Sequence, residues 1–362
     1  MKITAVAATA VKVPRPQSFR SSLGTNTHTE NAIVEITTDE GISGFGEAAS
    51  IWVRRGRGEA ELINDVLAAV VVGTDPFCIN QTVSLMNRRL PEAWPAKSGI
   101  EMALLDIIGK ALELPVCDVL GGSVRDRLML SRSLSMGAVD DVMTQAHVIV
   151  DEGYKTLKAK IGRDPVADLA IVAALRDAFP DIILRVDANM GWQAEEAVGH
   201  IRALEEFDLE LVEQPVQRED LDGMRSIREA VGVPIMADES VWTPADALAC
   251  VRADAADIFN IYVAEAGGLT AATAVFAVAE AAGIPCLIGA MPELGIGTAA
   301  QAHLAFAMPN IGFACDVNGF VYQSDDICDH GLIIKDGYLH PPRGPGLGVE
   351  VDADRIERYR VS

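Results

Sequence analysis

Positive charge is scarce in this chain of 362 residues: 30 Lys and Arg stand against 52 Asp and Glu, for a net charge of −22. Such a surface repels phosphate backbones and anionic bilayers, which excludes nucleic acid and membrane as partners. No apolar run reaches the length of a membrane span. The first residues, MKITAVAATAVKVPRP, alternate and break at Pro14, where a signal peptide would carry a continuous apolar stretch. Cytoplasmic residence is the expectation. Cys78, Cys117, Cys250, Cys286, Cys315 and Cys328 show no C-x-x-C or zinc spacing, so free and mostly buried thiols are expected. Low-complexity segments and flexible linkers are absent as well.

What the chain does have is a stride. Short apolar runs end at Lys160, Asp187, Glu213, Asp238, Tyr262, Gly289 and Asp316, in steps of 24 to 27 residues, and a helical stretch follows each but the last. That rhythm is a (β/α) barrel, whose chemistry sits at the C-terminal ends of its strands. The run LMLSRSL supplies a first strand. Before the break at Gly121-Gly122, alternating segments at 3–13, 31–38 and 42–46, with a turn at Asp39-Glu40-Gly41, predict a small antiparallel sheet. Helices are expected over 59–71, 76–89 and 98–111, the last opening on a capping box, Ser98 to Glu101. The division is therefore an α+β domain over 1–125, a barrel over 126–330, and a hairpin-rich tail over 331–362 that returns to the first domain.

Three strand-end carboxylates, Asp187, Glu213 and Asp238, would repel one another at the barrel mouth unless a cation held them. Their hard oxygens favour Mg²⁺, with Mn²⁺ also accommodated. Lys158 and Lys160, two apart on one strand, point the same way; side by side and near a cation, they are expected to depress the pKa of at least one of the two. A depressed lysine suits a general base. No histidine ends a barrel strand, which leaves no His base and no Ser-His-Asp triad. A metal on a carboxylate with a lysine over the adjacent carbon points to proton abstraction α to that carboxylate, through an enolate. Gly267-Gly268 and Gly295-Ile296-Gly297 read as turns or helix starts, with anion-binding nests as the alternative. Glu293 is expected to face the mouth and contact base or substrate.

The motifs KAK at 158–160, VDANMGW at 186–192, VEQP at 212–215, ADES at 237–240, GGL at 267–269 and MPELGIGTAA at 291–300 resemble those of the enolase superfamily. The lysine pair is similar to that of its muconate-lactonizing subgroup, in the mandelate racemase/muconate lactonizing enzyme family, and the likeness spans essentially the whole chain. It implies a modified TIM barrel, (β/α)7β-like, with an N-terminal α+β capping domain completed by the C-terminal tail. It further implies Mg²⁺ on Asp187, Glu213 and Asp238, Lys160 as base, Lys158 as its electrostatic assistant, and a homo-oligomer.

One departure stands out. The subgroup's usual second lysine, at the end of strand six, aligns with Tyr262, and 257–268 contains no lysine. Tyrosine is a poor base. The expectation is therefore one-sided chemistry on a small carboxylate, by a lyase (dehydratase) or a muconate-type cycloisomerase. The alternative is a racemase or epimerase of an amino-acid derivative with Tyr262 as second acid/base. Substrate contacts are expected from Arg20 and Arg54 in the capping loops, with Arg55 beside them, and from Asn189, Glu293, Asp316 and Phe320. The DVN sequence at 316–318 lacks the Asp-x-Asp that would suggest recognition of a dipeptide amine.

Overall fold

A computed structural model describes residues 1–52 and 55–361. Strands β1 (Ile3–Ser21) and β2 (Gly24–Thr38) form a long antiparallel hairpin, and β3 (Ser43–Ala48) pairs with β2. Helix α1 (Gly56–Leu62) runs on through a π-turn to Val71 and is followed by α2 (Ile79–Arg89) and α3 (Trp94–Leu112). α3 is buried along 95–109 because one side lies on the sheet and the other on the barrel. It approaches β3 so closely that a Cβ on Gly46 would stand 1.9 Å from the Gly99 carbonyl oxygen; only glycine fits there.

The expected helix start at Ser98 is corrected. α3 begins at Trp94, where left-handed Glu92 and Ala93 turn the chain and Pro95 occupies the first turn. Ser98 is buried inside the helix, and Glu101 spends its carboxylate elsewhere, as described below.

Seven parallel strands follow in sequential order: β4 (Ser131–Leu134), β5 (Thr156–Lys160), β6 (Ile183–Asp187), β7 (Leu211–Glu213), β8 (Ile235–Ala237), β9 (Ile258–Ile261) and β10 (Cys286–Ile288). Closure comes from an eighth segment. Asp316 N–H donates to Ile288 C=O at 2.8 Å, and Ser131 N–H donates to Cys315 C=O at 2.9 Å. The helices between them are α4 (Val139–Asp151), α5 (Pro165–Ala178), α6 (Ala194–Leu204), α7 (Leu221–Ala230), α8 (Pro244–Ala253), α9 (Leu269–Ala282) and α10 (Gly295–Ala307), which makes a (β/α)7β barrel. Local chemistry starts them. Asp164 caps the N–H groups of Val166 and Ala167, and Thr243 forms a capping box with Asp246 ahead of Pro244.

The tail divides its contacts. The hairpin Ile334–Leu339 adds Leu128–Met129 as a third strand, whereas Val361 N–H donates to Ala10 C=O on β1 at 2.9 Å. All six cysteines are free, and only Cys78 is exposed. Among the described residues no helix is long and apolar enough to cross a membrane.

The N-terminal unit docks on the barrel by capping two of its helices. Glu47 of β3 accepts from the N–H groups of Leu294 and Gly297, both at 2.7 Å, at the start of α10. Glu101 of α3 accepts from Thr270 N–H at 2.9 Å, and from its hydroxyl, at the start of α9. The glycines at 267–268 and 295–297 thus serve helix starts occupied by the protein's own carboxylates, which displaces the anion-nest alternative.

Burial raises Glu47 and Glu101 from 4.5 to about 7, opposed by those hydrogen bonds. Each binds its proton more tightly folded than unfolded. Their contribution to stability is therefore present below about pH 4.5 and lost as pH rises through about 7. Glu101→Gln keeps an oxygen for Thr270 and has no charge to desolvate. In urea unfolding at about pH 5 and about pH 8, wild type is expected to lose more stability than this variant, by no more than about 3 kcal/mol. Equal losses would remove Glu101 from the account.

Candidate functional site

Parallel register builds the site. Lys160 on β5 pairs with Asp187 on β6, and Asp187 pairs with Glu213 on β7, while Asp238 directly follows β8. Lys158 faces the mouth with Lys160, and Ala159 between them packs into the core around the barrel. Asp187, Glu213 and Asp238 are buried, with one oxygen from each lying within 4.8 Å of the others.

Lys160 Nζ donates to Asp187 Oδ2 and, at 2.9 Å, to Asn189 Oδ1. Lys158 Nζ pairs with Asp316 Oδ2, stands 3.1 Å from Glu213 Oε2 and 3.7 Å from Asp187 Oδ2. On the far side, Tyr262 Oη donates to Asp238 Oδ2 at 3.1 Å. Asn260, two residues earlier on the same face, donates to Glu213 Oε1 at 2.9 Å. Behind them the Gln214 amide oxygen accepts from Asp238 N–H at 2.9 Å and Ser240 N–H at 3.2 Å. Asn189, Met190 and Gln214 all adopt left-handed backbone, with φ of 42°, 62° and 35°. Each costs on the order of 1 kcal/mol, and this strain is gathered beside the carboxylates.

The expected depression of a lysine is tied to a nearby cation, and the protein's own carboxylates act in the opposite direction. Burial pulls both ammonium groups down, but the carboxylates outweigh it: Asp316, Glu213 and Asp187 raise Lys158 well above its ordinary value, and Asp187 raises Lys160. Burial and then Asp187 push Glu213 up in turn. Asp238 is raised well above its usual range by burial and by Glu239, Glu213 and Asp187, and Glu239 is raised to about 8 by burial and Asp187. Asp238 Oδ1 and Glu239 Oε2 are buried without a hydrogen-bond partner. Hard oxygens, mutual repulsion and an orphaned carboxylate oxygen together fit a divalent cation.

A cavity opens above these groups. The barrel supplies Lys158, Lys160, Asn189, Asp238, Tyr262 and Asp316; the N-terminal unit closes it with Arg15, Phe19, Ile51 and Trp52. Asn189 and Asp316, expected as substrate contacts, therefore line it. Three other expected contacts do not. Arg20 is exposed, because β1 breaks register between Pro14 and Phe19 and changes which residues face inward. Phe320 packs on His330, ring centroids 4.2 Å apart. Glu293 is buried behind the wall, accepting from the Gln301 amide at 2.7 Å, and burial followed by Glu47 holds it well above the carboxylate range. Arg54 lies outside the described residues, and Arg55 is exposed.

Sequence reasoning missed Arg15, Asn260 and Gln214. Period two from Tyr262 points to Asn260; nothing local marks Arg15, set between two prolines in the irregular part of β1. Arg15 is a cation in a pocket wall with no acidic partner among the described residues; it donates to Thr29 Oγ1 at 3.4 Å and its guanidinium lies 5.8 Å from the centre of the Phe19 ring.

If the three carboxylates hold a cation, Asp238→Asn is expected to weaken Mg²⁺ or Mn²⁺ binding by more than about tenfold in calorimetric titration. Saturating cation should raise the melting temperature of wild type and not of the variant. Unchanged affinity would place the cation elsewhere.

Known proteins resemble the chain along its length. Residues 3–121 match the family described as mandelate racemase / muconate lactonizing enzyme, N-terminal domain, and residues 141–355 match enolase C-terminal domain-like. The chain is 34% identical over 356 residues to L-Ala-D/L-Glu epimerase of Bacillus subtilis (strain 168), covering 96% of this chain and 97% of that protein. It is also 34% identical over 370 residues to chloromuconate cycloisomerase CbnB of Cupriavidus necator, with 99% of each chain covered. The solved dipeptide epimerase from Enterococcus faecalis V583, complexed with Mg and the dipeptide L-Leu-L-Tyr, superposes with a TM-score of 0.92 at 35% identity, over 97% of this chain and 100% of that one.

Proposed function

The chain belongs to the mandelate racemase/muconate lactonizing enzyme family of the enolase superfamily, and within it we propose a Mg²⁺-dependent lyase or cycloisomerase that removes the α-proton of a small carboxylate with Lys160 as its one base. The observation that carries this is the far wall of the pocket. The end of β9 lies four strands from β5, across the barrel from Lys160, and offers a phenol that already donates its proton to Asp238. A phenol so engaged is no proton acceptor at neutral pH.

Asp187, Glu213 and Asp238 would hold the cation, and Mg²⁺ is the ion named with the solved dipeptide epimerase. When bound, it supplies Lewis-acid polarisation of a substrate carboxylate. The chain's own residues do the rest. With Asp187 engaged in holding the cation, Lys160 Nζ would be released from that carboxylate and, as the neutral amine, would take the α-proton, while Asn189 keeps it aimed. Lys158, fixed by Asp316 and Glu213, adds a positive charge where negative charge develops. In the lyase form the C–H electron pair becomes the new double bond and a β-hydroxyl departs on the same face. The proton returned by Lys160 makes it water. Arg15 is the group to meet a second anionic end of the substrate.

Similarity to epimerases favours the second reading, in which Tyr262 serves the other face. Against a dipeptide substrate stands Asp316, whose carboxylate is taken by Lys158 and Ser131.

The test is a carboxylate panel in D₂O with Mg²⁺, followed by proton NMR and mass spectrometry. Lys160→Ala is expected to abolish α-exchange while keeping cation binding. Tyr262→Phe should slow turnover by about tenfold or less, the loss of a hydrogen bond worth on the order of 1 kcal/mol. Loss of exchange for one stereoisomer alone in Tyr262→Phe would move the enzyme to the epimerases. Wild-type exchange in Lys160→Ala would reject the base.

A further inference from the structure

Beside the catalytic pocket lies a buried acid that the chemistry above does not use. Glu265 follows Tyr262 by three residues, in the short turn Val263–Ala266, and is 2% exposed. Its Oε1 accepts from the indole N–H of Trp52 at 3.1 Å, a contact from the N-terminal unit to the barrel, and its Oε2 is buried without a hydrogen-bond partner. Burying a carboxyl for a single hydrogen bond costs more than that bond returns to the fold. An apolar side chain of the same size would serve packing better, so the acid is placed for Trp52.

Trp52 in turn is placed for the pocket. It lines the catalytic cavity on one side and, on the other, a second cavity shared with Glu265 and Trp242. Its ring lies 5.5 Å from that of Trp242, tilted 53°, and Trp242 carries the Arg218 guanidinium on its face at 3.8 Å. The neighbouring Ile51 packs on a small apolar cluster of Ala49, Tyr262, Ala264 and Met291, which is separate from the main core. Tyr262 and Met291 line the pocket too. Ile51 and Trp52 are thus a wall held from behind: stacked on an arginine-backed indole, and tied at one polar atom.

We propose that Glu265 is a positioning residue, a latch on the Trp52 indole that holds Ile51–Trp52 as the apolar wall of the catalytic pocket and so sets how tightly the pocket grips its substrate. This rests on that pocket being the substrate site. The latch touches no reacting atom, so its loss weakens binding more than the proton transfer itself. Two variants break the same bond from opposite ends, Glu265→Ala and Trp52→Phe; Glu265→Gln keeps a carbonyl oxygen for the indole.

Two measurements on the Mg²⁺-loaded full chain decide it. In hydrogen exchange read by mass spectrometry, which needs no substrate, both breaking variants are expected to exchange faster over residues 49–52, with the barrel strands unchanged and Glu265→Gln like wild type. For whichever carboxylate exchanges its α-proton in D₂O, both should raise KM roughly three- to tenfold with kcat within about twofold, and the double variant should be no worse than either single. A lower melting temperature in Glu265→Ala with unaltered exchange over 49–52 would make Glu265 merely structural and overturn the latch. So would kcat falling in step with unchanged KM, or Glu265→Gln behaving like Glu265→Ala. If no carboxylate on the panel exchanges, the catalytic reading fails on its own, while exchange over 49–52 still judges the bond.

Discussion

Asp187, Glu213 and Asp238 are buried side by side out of water, and the barrel mouth is organised around the repulsion between them. Two lysines answer it from β5, and Asn260 and Tyr262 answer it with neutral donors from β9. The left-handed turns at Asn189-Met190 and Gln214 accompany contacts that fix two of these acids: Asn189 N–H donates to Asp187 Oδ1, and the Gln214 amide oxygen accepts from the backbone N–H of Asp238. A hard divalent cation is the one partner able to satisfy all three at once. In the proposed mechanism, affinity for the cation and the release of Lys160 would be linked, since both draw on Asp187.

Buried acids also join the two units of the molecule. Glu47 and Glu101 reach from the N-terminal unit to the first turns of α10 and α9, where unpaired N–H groups and the helix dipole favour an oxygen. Glu265 reverses the direction, offering a barrel oxygen to Trp52 of the N-terminal unit. All three contacts lie close around the mouth, so the docking that stabilises the molecule also shapes the pocket wall.

The barrel, its metal-binding candidates and its lysine pair were legible in the sequence because each depends on short-range order. A stride of about one strand plus one helix announces the barrel, and alternation along β5 decides that Lys158 and Lys160 face together. What escaped depends on relations between distant segments. Arg15, rather than Arg20, reaches the pocket because β1 breaks register between Pro14 and Phe19, which no periodicity in the segment reveals. The pattern from Ser98 to Glu101 has the spacing of a capping box, yet its acid caps a helix 169 residues away. The acids that surround the lysines escaped for the same reason. Their neighbours in sequence are each other, whereas their neighbours in space are Asp187, Glu213 and Asp316.

Tyr262 is the point where this site parts from its subgroup, and the geometry shows what the exchange entails. The ring needs space that Gly289 provides: a Cβ at that position would come within 2.4 Å of Tyr262 Cζ. A lysine there would bring a third ammonium to the mouth and compete with the cation for Asp238. The phenol brings a hydrogen bond to Asp238 and no charge. The mouth is left more negative and asymmetric, with both of its ammonium groups on the β5 side. On the proposed reading, proton transfer and charge stabilisation belong to the β5 face, and Tyr262, Ile51 and Met291 line the pocket opposite. In that proposal the pocket would select by shape on one side and react on the other.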